Sequence, residues 1–179
     1  HISNLKSSRF QDVLQDDSFE KGAPLVEIGA YCLMPNHFHL LIQETTEGGI
    51  AKFMQKLCTG YTMYFNTKYE RTGALLAGTF KSKHVSDDRY LKHLVSYIHL
   101  NPIELFDPKW KVGQGTPHLT KKNLGEYRYS SLPDFFGQNR LESSIIGKSL
   151  FYLYETIPTL SGMIEEALAY HQENIKVKP

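Results

Sequence analysis

Two apolar, strand-like runs stand only two residues apart: Val26 to Met34 (VEIGAYCLM) and His37 to Gln43 (HFHLLIQ), joined by Pro35-Asn36. β-branched and aromatic residues favour strands and a Pro-Asn pair favours a turn, so the spacing predicts a β-hairpin with a very tight connection. Strands joined this closely can pair only antiparallel, which removes most of the folds otherwise open to the chain. From Gly48 to Tyr69 the apolar positions Ile50, Phe53, Met54, Leu57, Tyr61, Tyr64 and Phe65 recur three and four residues apart. That period predicts a long amphipathic helix, with Tyr61, Tyr64 and Phe65 read as core.

Arg71-Thr72-Gly73 ends this helix, and Ala74 to Val85 (ALLAGTFKSKHV) reads as another strand with Gly78 as a bend. Ser86 or Asp87 then caps a second helix with a buried stripe of Leu91, Leu94, Val95 and Ile98. Pro102 disfavours helical geometry at Asn101, so the helix is expected to end there. Hairpin, helix, strand, helix is the latter part of a split β-α-β-β-α-β fold. The fold class is therefore read as α+β: a ferredoxin-like antiparallel sheet followed by a helical C-terminal appendage. Its first strand is expected at His1 to Leu5, truncated because the chain opens at His1 rather than Met, and its first helix at Phe10 to Phe19. Residues 1–108 are taken as the catalytic domain and 109–179 as the appendage. Within the latter, Gly113 to Asn123 and Ser130 to Gly137 read as loops, and Ser143 to Glu155 and Ser161 to Lys176 as helices.

With 179 residues, 41% of them hydrophobic and 22% charged, the chain has the material for one packed core and lacks the signature of disorder. A formal net charge of +1 excludes coating of nucleic acid by bulk charge. The total hides an asymmetry: His1 to Glu47 holds seven acidic and three basic residues, whereas Gly48 to Lys83 holds six basic residues and Glu70 alone. The middle third can face a polyanion or be a solvated helix face and loop. Cys32 and Cys58 have no C-x-x-C spacing and read as reduced thiols of a cytoplasmic protein. No apolar run approaches the roughly 18 residues of a membrane span, and no signal peptide is expected.

The chemistry begins at His37-Phe38-His39. Residues two apart on a strand share a face, so the two imidazoles form a ready divalent-metal pair. Taken alone, such a pair is more often two histidines held by hydrogen bonds. On the second helix His93, Tyr97 and Asn101 fall four residues apart on one face, away from the apolar stripe. Singly, Tyr97 reads as a boundary tyrosine and Asn101 as a helix-end residue.

Three separated motifs occur in one order: YCLMPNHFHLL at Tyr31 to Leu41, GTFKSKHV at Gly78 to Val85, and YIHLNP at Tyr97 to Pro102. Over Val26 to Leu105 the chain resembles the single-tyrosine transposases of the HUH class, particularly the REP-associated tyrosine transposases. YRYSSLPDFFG at Tyr127 to Gly137 is similar to a segment found downstream in such proteins. The resemblance implies a single-stranded DNA endonuclease and strand transferase, in which Tyr97 is the nucleophile and His37, His39 and Asn101 hold a divalent cation. It implies Mg²⁺ or Mn²⁺, although imidazole ligands suit softer ions than Mg²⁺, and no nucleotide cofactor.

A phosphotyrosine keeps the energy of the broken bond, so a DNA 3′-hydroxyl can reverse the step without ATP. The base for Tyr97 is left open; His93 and His99 are candidates, each read more readily as a solvent-exposed histidine. Lys52, Lys56, Lys81 and Lys83 are the expected phosphate partners, and Tyr127, Tyr129 or Trp110 can stack on unpaired bases. The partner is expected to be single-stranded or hairpin DNA, with a homodimer allowed and no membrane. A domesticated nucleic-acid-binding module and a metal-dependent hydrolase without a covalent intermediate are the rival readings.

Overall fold

The computed structural model describes residues 22–110, 117–147, 149 and 158–176. The strand expected at His1 to Leu5 and the helix expected at Phe10 to Phe19 lie outside these residues. The hairpin forms as its sequence demands: β1 (Val26–Leu33) and β2 (Phe38–Glu44) pair antiparallel from Val26↔Glu44 to Leu33↔Phe38. The register shifts between Ile28 and Ala30, so Gly29 is the extra residue of a bulge.

Helix α1 (Gly49–Lys68) starts where the chain passes tightly under Leu25. A Cβ on Gly49 would collide with the Leu25 carbonyl oxygen, so this close passage requires glycine. Met54 is buried on the hairpin side, but the second half of the helix departs from the core expected of it: Tyr61 is 52% and Tyr64 58% exposed. The physical reason is length. Twenty helical residues extend roughly 30 Å and seven strand residues roughly 23 Å, so the apolar stripe outruns the hairpin. Its rings are covered in part by cations, with Lys68 Nζ 5.6 Å from the Tyr64 centroid and the Arg71 guanidinium 5.7 Å from that of Phe65.

Ala74 to Val85 does not form the expected strand; it runs as bends and irregular chain. Gly73 (φ 90°) and Gly78 (φ 78°) turn the backbone out of the β region. The Gly73 and Ala74 carbonyls accept from the side chains of Asn66 and Arg71 rather than from a ladder. Helix α2 (Asp88–Leu100) is capped by Asp87, whose carboxylate accepts the Tyr90 amide at 2.8 Å. Asn101 keeps helical dihedrals (φ −51°, ψ −41°) despite Pro102, and a single turn, α3 (Ile103–Phe106), follows.

Two apolar clusters meet on α2. Its expected stripe of Leu91, Val95 and Ile98 is buried against Ala30, Cys32 and Leu41 of the hairpin, with Leu94 packed beside them. Leu100 faces the second cluster, where Ile103, Trp110, Leu124, Leu132 and Met163 are buried. Burial pushes the Cys32 thiol up to about 12, leaving it a packing group rather than a nucleophile.

The described residues beyond 109 form more regular structure than their polar sequence suggests. Helix α4 (Pro117–Glu126) occupies much of the stretch expected as a loop, with proline at its first position and Leu124 fully buried. Ser130 to Gly137 likewise contains a helical turn, α5 (Leu132–Phe135), that inserts Leu132 and Phe135 into the core. The helix expected from Ser143 is instead a 3₁₀ turn (Leu141–Ile145) leading to extended Ile146, and part of that expectation lies outside the described residues. Helix α6 (Leu160–Lys176) agrees with its expectation to one residue and packs on α2.

This downstream chain closes the free edge of β1. The Leu33 amide donates to the Tyr129 carbonyl, the Ser131 amide to that of Tyr31, and the Gly147 amide to that of Ile28, at 2.8 to 2.9 Å. Pairing of this kind satisfies an edge that would otherwise invite another strand. Arg140 holds the same region down. Its guanidinium forms an ion pair with buried Asp134 and donates to the Arg128 and Ser130 carbonyls and to Tyr31 Oη.

Candidate active site

The tight hairpin places His37 just before β2 and His39 within it, and α2 crosses the sheet so that Tyr97 comes to His39. The His37 and His39 rings are 5.0 Å apart and perpendicular, and the His39 and Tyr97 rings are 5.4 Å apart at 79°. Tyr97 is 47% exposed, so the residue is accessible from solvent. Asn101, still helical one turn on, donates from Nδ2 to the Tyr97 carbonyl at 2.7 Å, which commits its nitrogen and leaves its oxygen as the remaining acceptor. The chain matches the family described as "Transposase IS200 like" over residues 4–101, just over half its length. The chain belongs to the IS200-like transposase family. No curated protein and no solved structure gives a significant match.

Transposases process DNA, and the described residues of this transposase show no helix long and apolar enough to cross a membrane. Burial, and to a lesser degree the neighbouring His37, hold the His39 imidazole below the usual histidine range, while Asn101 and Glu104 pull the other way. A neutral imidazole is the form that binds metal. The Asn101 amide exerts this pull without reaching hydrogen-bond geometry: His39 Nε2 is buried with no hydrogen-bond partner. An orphaned ring nitrogen in a protein interior is costly unless something fills it. His37 Nδ1 is held 2.7 Å from Asn36 Oδ1. Two imidazoles and an amide oxygen therefore fit a divalent cation. Among the described residues no group of three His, Cys, Asp or Glu side chains is placed to hold a metal.

The transposase's other expected site residues are placed elsewhere. Lys52 and Lys56 are exposed on the side of α1 turned away from Met54, and Lys81 and Lys83 are exposed on the 74–85 loop rather than on a strand. Lys83 Nζ lies 4.5 Å from the Tyr90 centroid, which ties that loop to the first turn of α2. Among the described residues no hydrogen bond or ring contact joins these four lysines to His37, His39, Tyr97 or Asn101.

Of the aromatics expected to stack on bases, Tyr129 is exposed, but Trp110 is 6% exposed and belongs to the second core cluster, so it is withdrawn. Tyr127 is half-buried with its hydroxyl donating to the Leu33 carbonyl at 2.6 Å. His99 is withdrawn as a base and as an exposed residue: it is fully buried, with Nε2 2.7 Å from Ser131 Oγ. One residue of the site went unread in the sequence, Asn36, whose only signal was its place in the turn beside His37.

Proposed function

We propose that this transposase is a metal-dependent single-stranded DNA endonuclease and strand transferase that works through a 5′-phosphotyrosine on hairpin- or repeat-flanked DNA. The observation that carries the reading is the convergence of exposed Tyr97, the His37–His39 pair and Asn101 on one spot. Tyr97 Oη attacks the scissile phosphorus; the Oη–P bond forms, the P–O3′ bond breaks, and the departing DNA end takes up a proton to become a 3′-hydroxyl. The phenol loses its proton as the Oη–P bond forms, and the leaving 3′-oxygen gains one, so the step balances. A 3′-hydroxyl attacking the phosphotyrosine reverses the step and joins DNA without a nucleotide cofactor. His37, His39 and Asn101 would hold Mg²⁺ or Mn²⁺, which would neutralise the phosphate and orient it for in-line attack.

In this reading residues 1–108 form a ferredoxin-like catalytic domain, and 109–179 is an appendage that covers the outer edge of β1. Lys52, Lys56, Lys81 and Lys83, all exposed, attract the DNA backbone.

The test is a covalent-adduct assay with single-stranded DNA carrying its flanking repeats and Mn²⁺ or Mg²⁺. Wild type gives a slow-migrating protein–DNA band on a denaturing gel, and Tyr97→Phe gives none. An adduct that persists in Tyr97→Phe removes Tyr97 as nucleophile, and metal-dependent cleavage with no adduct points to a hydrolase.

A further inference from the structure

The turn that joins the two strands also has a bearing on the metal pair. Met34 N–H donates to the His37 carbonyl at 2.8 Å, and between them stand only Pro35 and Asn36. Proline fixes its own φ near −65°, and apart from glycines Glu70 is the sole described residue with positive φ, so Asn36 is in an ordinary conformation. An asparagine in a turn usually bonds its own backbone two residues on. Here its carboxamide oxygen lies 2.7 Å from His37 Nδ1 instead.

We propose that Asn36 is a positioning residue that fixes His37 as the Nδ1–H tautomer and so presents Nε2 to the divalent cation. A carboxamide oxygen only accepts, so the proton of the neutral imidazole resides on Nδ1 and the lone pair on Nε2. His39 offers the same atom, since its Nε2 is the buried, unpartnered nitrogen. The ion would thus be met by two matched Nε2 donors, His37 oriented by the turn before β2 and His39 by burial within it. Metal-bound histidines commonly give their second N–H to a carbonyl or carboxylate acceptor, and loss of that acceptor weakens metal binding by about 10–100-fold. Because Asn36 and His37 are both exposed, water competes for the bond, and the effect belongs at the lower end of that range.

The inference rests on the reading of the site as a metal centre, and the experiment separates the two. ¹⁵N NMR of the imidazoles in full-length protein without metal, at about pH 8 where histidine is neutral, gives His37 as Nδ1–H in wild type. Asn36→Ala mixes the tautomers or reverses them and weakens Mn²⁺ binding about 10-fold, whereas Asn36→Asp, which keeps an acceptor, restores both. A purely structural turn residue would leave the tautomer unmoved. Wild-type His37 found as Nε2–H, or a tautomer and Mn²⁺ affinity unchanged in a folded Asn36→Ala protein, overturns the role of Asn36 and leaves the metal centre standing. Wild type that fails to bind Mn²⁺ removes the metal centre, and the purpose assigned to Asn36 with it.

Discussion

The phenol ring of Tyr97 meets the imidazole of His39 edge-on, centroids 5.4 Å apart, with the Asn101 side chain tied to the Tyr97 carbonyl one turn below. The proposed nucleophile and one proposed metal ligand are therefore held on the same helical turn. Replacing Asn101 by Ala removes an oxygen donor while breaking only one hydrogen bond within its own helix. Mn²⁺ affinity is expected to fall at least as far as loss of an outer partner would cause, about 10-fold or more, with the unfolding midpoint little changed. Manganese titration followed by electron paramagnetic resonance measures this; an unaltered dissociation constant would remove Asn101 from the ligand set.

His99 makes stability depend on pH. Burial lowers its pKa from 6.5 to about 3, partly offset by Asp134. Above about pH 6.5 the imidazole is neutral in both folded and unfolded chains, and its contribution is complete. As pH falls below 6.5 the unfolded chain takes up a proton that the folded one refuses, so stability is lost down to about pH 3, at up to about 1.4 kcal/mol per pH unit. Urea unfolding at a series of pH values should show this slope in wild type and a shallower one in His99→Gln. Parallel profiles for the two proteins would contradict it.

The parts legible from sequence were those in which local chemistry and packing agree. The hairpin was marked by its apolar letters and Pro35-Asn36, and α2 by Asp87 and the Leu91, Val95, Ile98 spacing. The shared face of Tyr97 and Asn101 followed from four-residue spacing alone. Failures came where the letters describe a surface without naming what covers it. Tyr61 and Tyr64 continue the stripe of Met54, but periodicity carries no information on where the hairpin beneath α1 stops. Thr79, Phe80 and Val85 are strand formers, yet Gly73 and Gly78 with positive φ undo the strand. Helix α4 hid behind Thr, Lys and Asn because one buried face, seen in Leu124, sufficed once Trp110 and Met163 were beside it.

Arg140 is the pin of the downstream region. Its side chain and that of Asp134 are 14% and 4% exposed, and Ser143 Oγ donates to the same carboxylate at 2.6 Å. Removing one member strands a buried charge, so Arg140→Ala or Asp134→Ala is expected to cost about 3–5 kcal/mol. Arg140→Lys should recover only part of it, since an ammonium cannot reproduce the guanidinium's paired contacts to Asp134. Chemical denaturation decides this; a loss below about 1 kcal/mol, the level of a surface pair, would mean that the network is not closed in solution.

Two glycines of α1 should respond to alanine with opposite signs. At Gly49 the added methyl would overlap the Leu25 carbonyl, a backbone atom that can yield only by moving the start of the helix off β1. Overpacking of this kind costs roughly 1–3 kcal/mol. At Gly60 nothing lies within 4 Å of the added carbon, and the residue is exposed inside the helix. There alanine removes only the entropy penalty of glycine, worth about 0.5–1 kcal/mol in favour of folding. The two single variants and their double, compared by urea denaturation, should show a loss, a gain and a near-additive sum, because one site is at the helix start and the other three turns away. Equal signs would mean that the close passage of Leu25 over Gly49 does not persist in solution.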